Sequence, residues 1–144
     1  MRESKLRELF TDEVKRKPKL IYYNTTGGIY TKKGWPDMLL WYCGLGFGVE
    51  LKVDYGKLSK NQELTADEFV KNDLPFFILR VKKDGLICFK RITENTGQRI
   101  PLKIIFGGNF SSSSLRDLSI RKCLNDILKE VILTSQETEL LELE

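Results

Sequence analysis

The chain has 144 residues, of which 41% are hydrophobic and 31% charged, with a formal net charge of +4. This composition is typical of one globular domain with a hydrophobic core, and it excludes a disordered chain. The sequence contains no histidine, which excludes histidine-based triads, dyads and most zinc sites. Three scattered cysteines exclude a disulfide framework, and catalysis would have to use carboxylates, lysines, hydroxyls and oxygen-bound metals.

The first predicted element is a helix over residues 2–17. Glu3 and Glu13 share its apolar face, whereas Glu8 points away from that face. Charged side chains are seldom buried without a reason, so an acid on this face is a candidate functional residue. The apolar residues that define the face are Leu6, Leu9, Phe10 and Val14.

The remaining elements predict an α/β domain with a β-α extension at its C-terminal end. A strand over Lys19–Asn24 and a polar loop over Thr25–Lys33 precede two strands, which are joined through Gly44-Leu45-Gly46. The last helix is expected from Ser114, with a capping box to Asp117. Its expected apolar face is Leu115, Leu118, Leu124, Ile127, Leu128 and Val131. The other predicted elements are strands Pro36–Cys43 and Phe47–Val53, a helix from Ser59 to about Lys71, strands Leu74–Val81 and Leu86–Ile92 around a turn at Lys83–Gly85, a loop over 93–100, a strand Pro101–Phe106 and a link Gly107–Ser113.

Three charged residues are expected to meet on the predicted hairpin. Asp37 begins the first strand, and Glu50 and Lys52 lie on one face of the returning strand. Two close carboxylates repel each other unless a cation lies between them, and carboxylates without histidine favour Mg²⁺ or Mn²⁺. Such an ion with a nearby lysine is suited to phosphodiester hydrolysis. Read singly, Asp37 is a solvated turn residue and Glu50 and Lys52 are a solvated surface pair.

These residues resemble the motif of the PD-(D/E)XK nuclease superfamily. The segment from Gly34 to Gln62 is similar to the VRR-NUC family, through Gly34-Trp35-Pro36-Asp37, Gly48-Val49-Glu50-Leu51-Lys52 and Gly56-Lys57-Leu58-Ser59-Lys60-Asn61-Gln62. The resemblance implies a restriction-endonuclease-like core of αβββαβ order over about residues 1–92. An extension over about 93–136 and an acidic tail over 137–144 would complete a single nuclease domain.

The resemblance also implies roles for individual residues. Asp37, Glu50 and the Leu51 carbonyl would bind the metal, and Lys52 would assist the attacking water. The family places a further metal-binding Glu on the first helix, for which we select Glu3 over Glu8 and Glu13. Gln62 is either a catalytic residue or the partner of Ser59 in a capping box, and both roles can hold at once.

Basic residues near these motifs are candidate DNA contacts. Lys32, Lys33, Lys57 and Lys60 either bind backbone phosphates or serve solubility. The expected protein is therefore a cytoplasmic endodeoxyribonuclease that cuts four-way or otherwise branched DNA and has no membrane partner. Because the sequence contains no Walker A motif, we expect no nucleotide cofactor.

The resemblance to stand-alone Holliday-junction resolvases and phage or viral nucleases implies a homodimer, and a host-cytoplasmic location if the protein is viral. The last helix or the apolar strand edges would supply the dimer interface. A nickase, a flap or restriction-type nuclease, and a catalytically silent DNA-binding module are the alternatives.

Overall fold

The computed structural model describes residues 1–25, 33–83, 85–93, 103–106 and 113–143, and these residues form three helices and six strands. Among them, no helix combines the length and the apolarity that are needed to cross a membrane. The elements are α1 (Glu3–Lys15), β1 (Leu20–Asn24), β2 (Met38–Tyr42), β3 (Leu45–Val53), α2 (Lys60–Lys71), β4 (Phe76–Val81), β5 (Ile87–Arg91), β6 (Lys103–Phe106) and α3 (Ser113–Leu143).

The strands form one mixed sheet in which spatial order follows chain order, from β1 to β6. Every neighbouring pair is antiparallel except β3 and β4, which run parallel because helix α2 carries the chain back between them. The predicted α/β class, with an αβββαβ core followed by further strands and a helix, is therefore confirmed.

Helices cover both faces of the sheet. Helices α1 and α3 lie together on one face, where they bury the larger core with Phe47, Val49 and Leu51 of β3. Helix α2 covers the other face with a smaller cluster around Phe69 and Phe76. Strand β3 is buried along most of its length, as expected for a central strand covered on both sides.

The β2–β3 hairpin is tighter than predicted. Cys43 and Gly44 have φ values of +52° and +81°, the conformation of a two-residue type I′ turn, and Tyr42 pairs directly with Leu45. The predicted turn through Gly44-Leu45-Gly46 is wrong, since Leu45 and Gly46 belong to β3. This turn sets the register that places Glu50 beyond the start of β2.

Helix α3 buries a different face from the predicted one at its N-terminal end. Leu115 and Leu118 are exposed. Residues three and four positions apart share a helix face, so the residues on the same face as the buried Ile120 are Arg116 and Asp117. The helix also continues to Leu143, into the segment described above as an acidic tail. The buried positions are Ile120, Cys123, Leu124, Ile127, Leu128 and Val131.

The other predicted elements are present, most with ends that differ by one to three residues. Helix α1 ends at Lys15 rather than at residue 17, and β4 begins at Phe76, after Pro75. Strands β4 and β5 pair antiparallel as expected, although Asp84 of the predicted turn lies outside the described residues. The predicted loop after residue 93 and link after 106 also lie outside them, as does the side chain of Ser114. Helix α3 includes Ser113, so Ser114 lies inside the helix rather than at its predicted start, and Asp117 Oδ1 accepts from Arg116 Nε at 3.4 Å.

Candidate metal and nucleic-acid site

The Gly34-Trp35-Pro36-Asp37 segment packs tightly against α2 and β3. Gly34 has φ +89°, and a Cβ there would lie 2.5 Å from the backbone of Asn61 in the first turn of α2. Trp35 packs edge-on against Phe69 of α2, with 5.8 Å between the ring centroids. The segment is therefore held by contacts that its small and aromatic residues make, and these contacts fix where Asp37 enters the sheet.

Glycine is required at position 34 both for its positive φ and for the close approach of Asn61, and a matched pair of variants separates the two effects. Gly44 has a similar φ of +81°, but a Cβ there would meet nothing within 4 Å. We expect Gly44→Ala to lower the free energy of unfolding by about 1 kcal/mol through backbone strain alone. Gly34→Ala should lower it by about 3 kcal/mol, since overpacking against Asn61 adds to the strain. Urea unfolding measures both losses, and equal losses would contradict the close approach described here.

Asp37 is a buried carboxylate held from two sides. It is 7% exposed, and its Oδ2 accepts a hydrogen bond of 2.8 Å from the backbone N–H of Leu51. This N–H is available because β2 begins at Met38, which pairs with Val49, so that the later residues of β3 extend beyond the start of β2. Arg7 of α1 lies on the other side, with its Nη2 3.4 Å from Asp37 Oδ1. Asp37 is therefore not the solvated turn residue of the alternative interpretation.

The Leu51 carbonyl faces the same side of β3 as Asp37. The N–H and C=O of one strand residue point to the same side, and the Leu51 N–H bonds to Asp37. Because Leu51 lies beyond the start of β2, this carbonyl has no β2 residue opposite it. Its position is compatible with the metal-binding role that the sequence motif implies.

Glu50 is the most buried carboxylate of the site, with 2% of its surface exposed. Its Oε1 lies 4.0 Å from Lys52 Nζ, while its Oε2 is buried without a hydrogen-bond partner among the described residues. Burial, together with the hydrogen bond and charge of Asp37, raises the pKa of Glu50 from 4.5 to about 9. In its ionised form, the Glu50 carboxylate has no donor at Oε2 among the described residues.

The Asp37–Glu50 pair fits a hard divalent cation. An ionised buried oxygen without a donor is costly, and a cation between the two carboxylates would remove both that cost and their repulsion. In the described parts of the chain, no group of three or more His, Cys, Asp or Glu side chains is placed to hold a metal ion. The carboxylate ligands that the structure brings together are thus two, with the Leu51 carbonyl beside them.

The three acids of helix α1 have distinct surroundings. Glu3 lies near the pair, since its charge raises the pKa of Glu50 and its Oε1 would be 3.9 Å from a Cβ at Gly56. Glu8 is exposed and pairs with Lys5 at 3.6 Å. Glu13 is buried, but it bonds to Arg121 of α3 at 2.9 Å and joins the two helices. The selection of Glu3 agrees with these positions, and its metal-binding role remains a prediction.

Variants of Glu3 and Glu13 should separate a functional acid from a structural one. We expect Glu13→Gln to lower the free energy of unfolding by about 1–2 kcal/mol, because it removes a charged hydrogen bond between α1 and α3. Glu3→Gln should leave stability nearly unchanged and weaken metal-dependent cleavage. Denaturation curves and plasmid cleavage on the same preparations test this, and the reverse pattern would reject Glu3.

Gln62 forms the capping box of helix α2. Its Oε1 accepts from the Ser59 N–H at 2.9 Å, and its own N–H donates to Ser59 Oγ at 3.2 Å. The predicted capping-box role of Gln62 is therefore confirmed. A catalytic role for Gln62 remains a prediction.

The candidate DNA-binding lysines flank the beginning of helix α2. Lys33, Lys57 and Lys60 are exposed, and Lys33 adjoins Gly34, whose backbone lies against Asn61 next to Lys60. Lys32 lies outside the described residues. The three described lysines are thus placed to bind a polyanion that passes over this end of the sheet.

Sequence reasoning missed Arg7. Its Nε is buried without a hydrogen-bond partner among the described residues, while Nη2 holds Asp37. No local pattern pairs residues 30 positions apart in this way, so the only available signal was a basic residue adjacent to the apolar face of α1. Arg7 offsets the charge of Asp37 in the absence of a metal.

Comparisons with known proteins give one distant likeness in fold. The structure is similar to that of Hjc, a Holliday junction resolvase from the archaeal hyperthermophile Archaeoglobus fulgidus, with a TM-score of 0.43 and 12% sequence identity. The match covers 78% of this chain and 89% of that chain. No protein-family model matches the sequence, and no curated protein matches it. The resemblance to the VRR-NUC family therefore remains a prediction from the motif.

Proposed function

We propose that the chain is an Mg²⁺- or Mn²⁺-dependent endodeoxyribonuclease. The observation that carries the proposal is the buried Asp37–Glu50 pair beside Lys52. The Oε2 atom of Glu50 lacks a hydrogen-bond partner among the described residues. A binding-only module for a polyanion has no use for two buried acids that repel phosphate. The exposed lysines around the start of α2 supply attraction to a nucleic acid.

Each residue of the site has a distinct task in this proposal. Asp37, Glu50 and the Leu51 carbonyl would hold the ion, while Arg7 and the Leu51 N–H keep Asp37 oriented. The bound ion supplies polarisation of the scissile phosphoryl oxygen and a lowered pKa for water. The Lys52 ammonium orients the attacking water and offsets negative charge that develops on the phosphorus oxygens. Lys33, Lys57 and Lys60 hold the DNA backbone in register.

We further propose a homodimer that cuts branched DNA in opposing strands. Helix α3 uses its apolar face within its own core, which favours the strand edge as the interface. Strand β1 forms an edge of the described sheet, and Ile21, Tyr23 and Trp41 are exposed on β1 and β2. Two sites related by a two-fold axis suit a substrate of matching symmetry.

Incubation of supercoiled plasmid and a synthetic four-way junction with the protein tests the proposal. We expect cleavage with Mg²⁺ or Mn²⁺, none with EDTA, and none by a folded Asp37→Asn variant. Light scattering should give twice the monomer mass of 16.7 kDa. Binding of DNA without cleavage under every metal condition would replace the nuclease with a silent DNA-binding module.

A further inference from the structure

Tyr55 is an exposed aromatic residue directly beside the candidate site. It is 82% exposed, more than any other large hydrophobic residue among those described. It precedes Gly56, where a Cβ would lie 3.5 Å from Lys52 Cδ and 3.9 Å from Glu3 Oε1. An exposed ring contributes little burial to the fold, and its place beside the candidate site leaves both ring faces accessible to a ligand with an apolar face.

The backbone around Tyr55 is held firmly in place. The Asp54 N–H donates to the Val81 carbonyl at 2.8 Å, and the Asp54 carbonyl accepts from Arg80 Nη1 at 2.9 Å. Asp54 has φ +51°, and the Gly56 N–H closes the turn onto the Val53 carbonyl at 3.2 Å. The end of β4 thus fixes the turn that carries the ring, so little backbone conformational freedom remains to be lost when a ligand binds.

The surroundings of Tyr55 match a nucleic-acid base with its phosphates. The exposed Lys57 follows two residues later, and Lys52 and Glu3 of the candidate site lie next to Gly56. Within a continuous duplex each base face is covered by its neighbour, whereas at a branch point a base face is open to an aromatic ring. A base–aromatic stack here would place the discontinuity next to the bond that the site cuts.

We propose that Tyr55 stacks on an unstacked base at a branch point and thereby selects branched over continuous DNA. This inference rests on the proposed nuclease function and names the structural feature of the substrate that the site recognises. Tyr55 acts as a specificity-determining residue, since it recognises the interruption of the duplex while the lysines bind any phosphate backbone.

Binding in EDTA measures the stacking without catalysis. The probes are a four-way junction with 2-aminopurine at the branch point and a linear duplex with 2-aminopurine at an internal position. The wild type should quench the junction fluorescence on binding, and Tyr55→Ala should lose this quenching and weaken junction affinity 10- to 100-fold, as expected for one stacked base. Affinity for the linear duplex should change less than about twofold.

Matched variants separate stacking from other effects. Tyr55→Phe should behave as the wild type and Tyr55→Leu as Tyr55→Ala, while Leu133→Ala removes an exposed apolar side chain of α3 that has no part in the candidate site and should change neither measurement. Equal losses on both DNAs, unchanged binding by Tyr55→Ala, or full function of Tyr55→Leu would each overturn the proposal. If the wild type cuts plasmid but Tyr55→Ala binds junctions normally, only the stacking is rejected. If the wild type cuts no DNA with Mg²⁺ or Mn²⁺, the nuclease itself is rejected.

Discussion

Glu50→Gln should make the metal-free protein more stable while abolishing its activity. In the wild type, burial and Asp37 raise the pKa of Glu50 to about 9, against 4.5 in the unfolded chain. Between these values the folded state binds more protons than the unfolded state, so stability falls as pH rises. At pH 7 the free energy of unfolding of the wild type is lower by roughly 3 kcal/mol than it would be with a side chain that cannot ionise. Glutamine keeps the shape of glutamic acid and cannot ionise.

Urea unfolding in EDTA between pH 5 and pH 8.5 measures this effect. The free energy of unfolding of the wild type should fall across that range. The free energy of unfolding of Glu50→Gln should lack this fall and should change only through the titrating groups that both proteins share. Glu63→Gln, a change in the first turn of α2, is the matched control and should keep the wild-type slope. A Glu50→Gln protein with the same slope as the wild type would contradict the ionisation behaviour assigned to Glu50.

Addition of metal should reverse the order of stability. Mn²⁺ or Mg²⁺ should stabilise the wild type by mass action, because the folded acid pair of the proposed site would bind the ion and the unfolded chain would not. Binding requires Glu50 to release its proton, so the apparent metal affinity should rise with pH up to about 9. Glu50→Gln should gain no metal-dependent stability and should cut no DNA. Retained stabilisation by metal in this variant would place the ion elsewhere.

The sequence was sufficient to predict the parts of the site that follow from strand periodicity. Glu50 and Lys52 lie on one face because side chains alternate along a strand, and the hairpin brings Asp37 to them. What periodicity could not show is the depth of burial, which depends on α2 and on the packing of Trp35 and Phe69 beside β3. That burial, with Asp37 beside it, strongly raises the pKa of Glu50.

The errors in the predicted fold have local causes. Glycines at 44 and 46 both suggested a turn, but only the pairing of Tyr42 with Leu45 decides which residues form it. The face of α3 was misjudged because two exposed leucines, Leu115 and Leu118, were counted with the apolar stripe. Arg7 was missed because a helix pattern identifies a face and not a partner on a distant strand. Each of these depends on tertiary contacts that no window of sequence contains.

Lys52→Met should lower kcat by about 10²- to 10³-fold while DNA and metal binding persist. Methionine retains the length and the apolar stem of a side chain that is only 11% exposed, so the fold should be preserved. It removes the ammonium that lies 4.0 Å from Glu50 Oε1 and that would offset charge in the transition state. Single-turnover cleavage and equilibrium DNA binding, measured on one preparation, separate the two contributions.

Lys57→Met provides the matched contrast, since it removes the same charge from an exposed lysine near the start of α2. Loss of a phosphate contact in Lys57→Met should weaken binding to DNA of every sequence. It should also reduce the slope of log affinity against log salt by about one, with little change in kcat. The two lysines are thus expected to fail in different measurements, although the substitutions are chemically identical. If Lys52→Met also loses DNA affinity in a salt-dependent way and keeps its kcat, Lys52 is a phosphate anchor, and the water in the proposed reaction must be activated without a lysine.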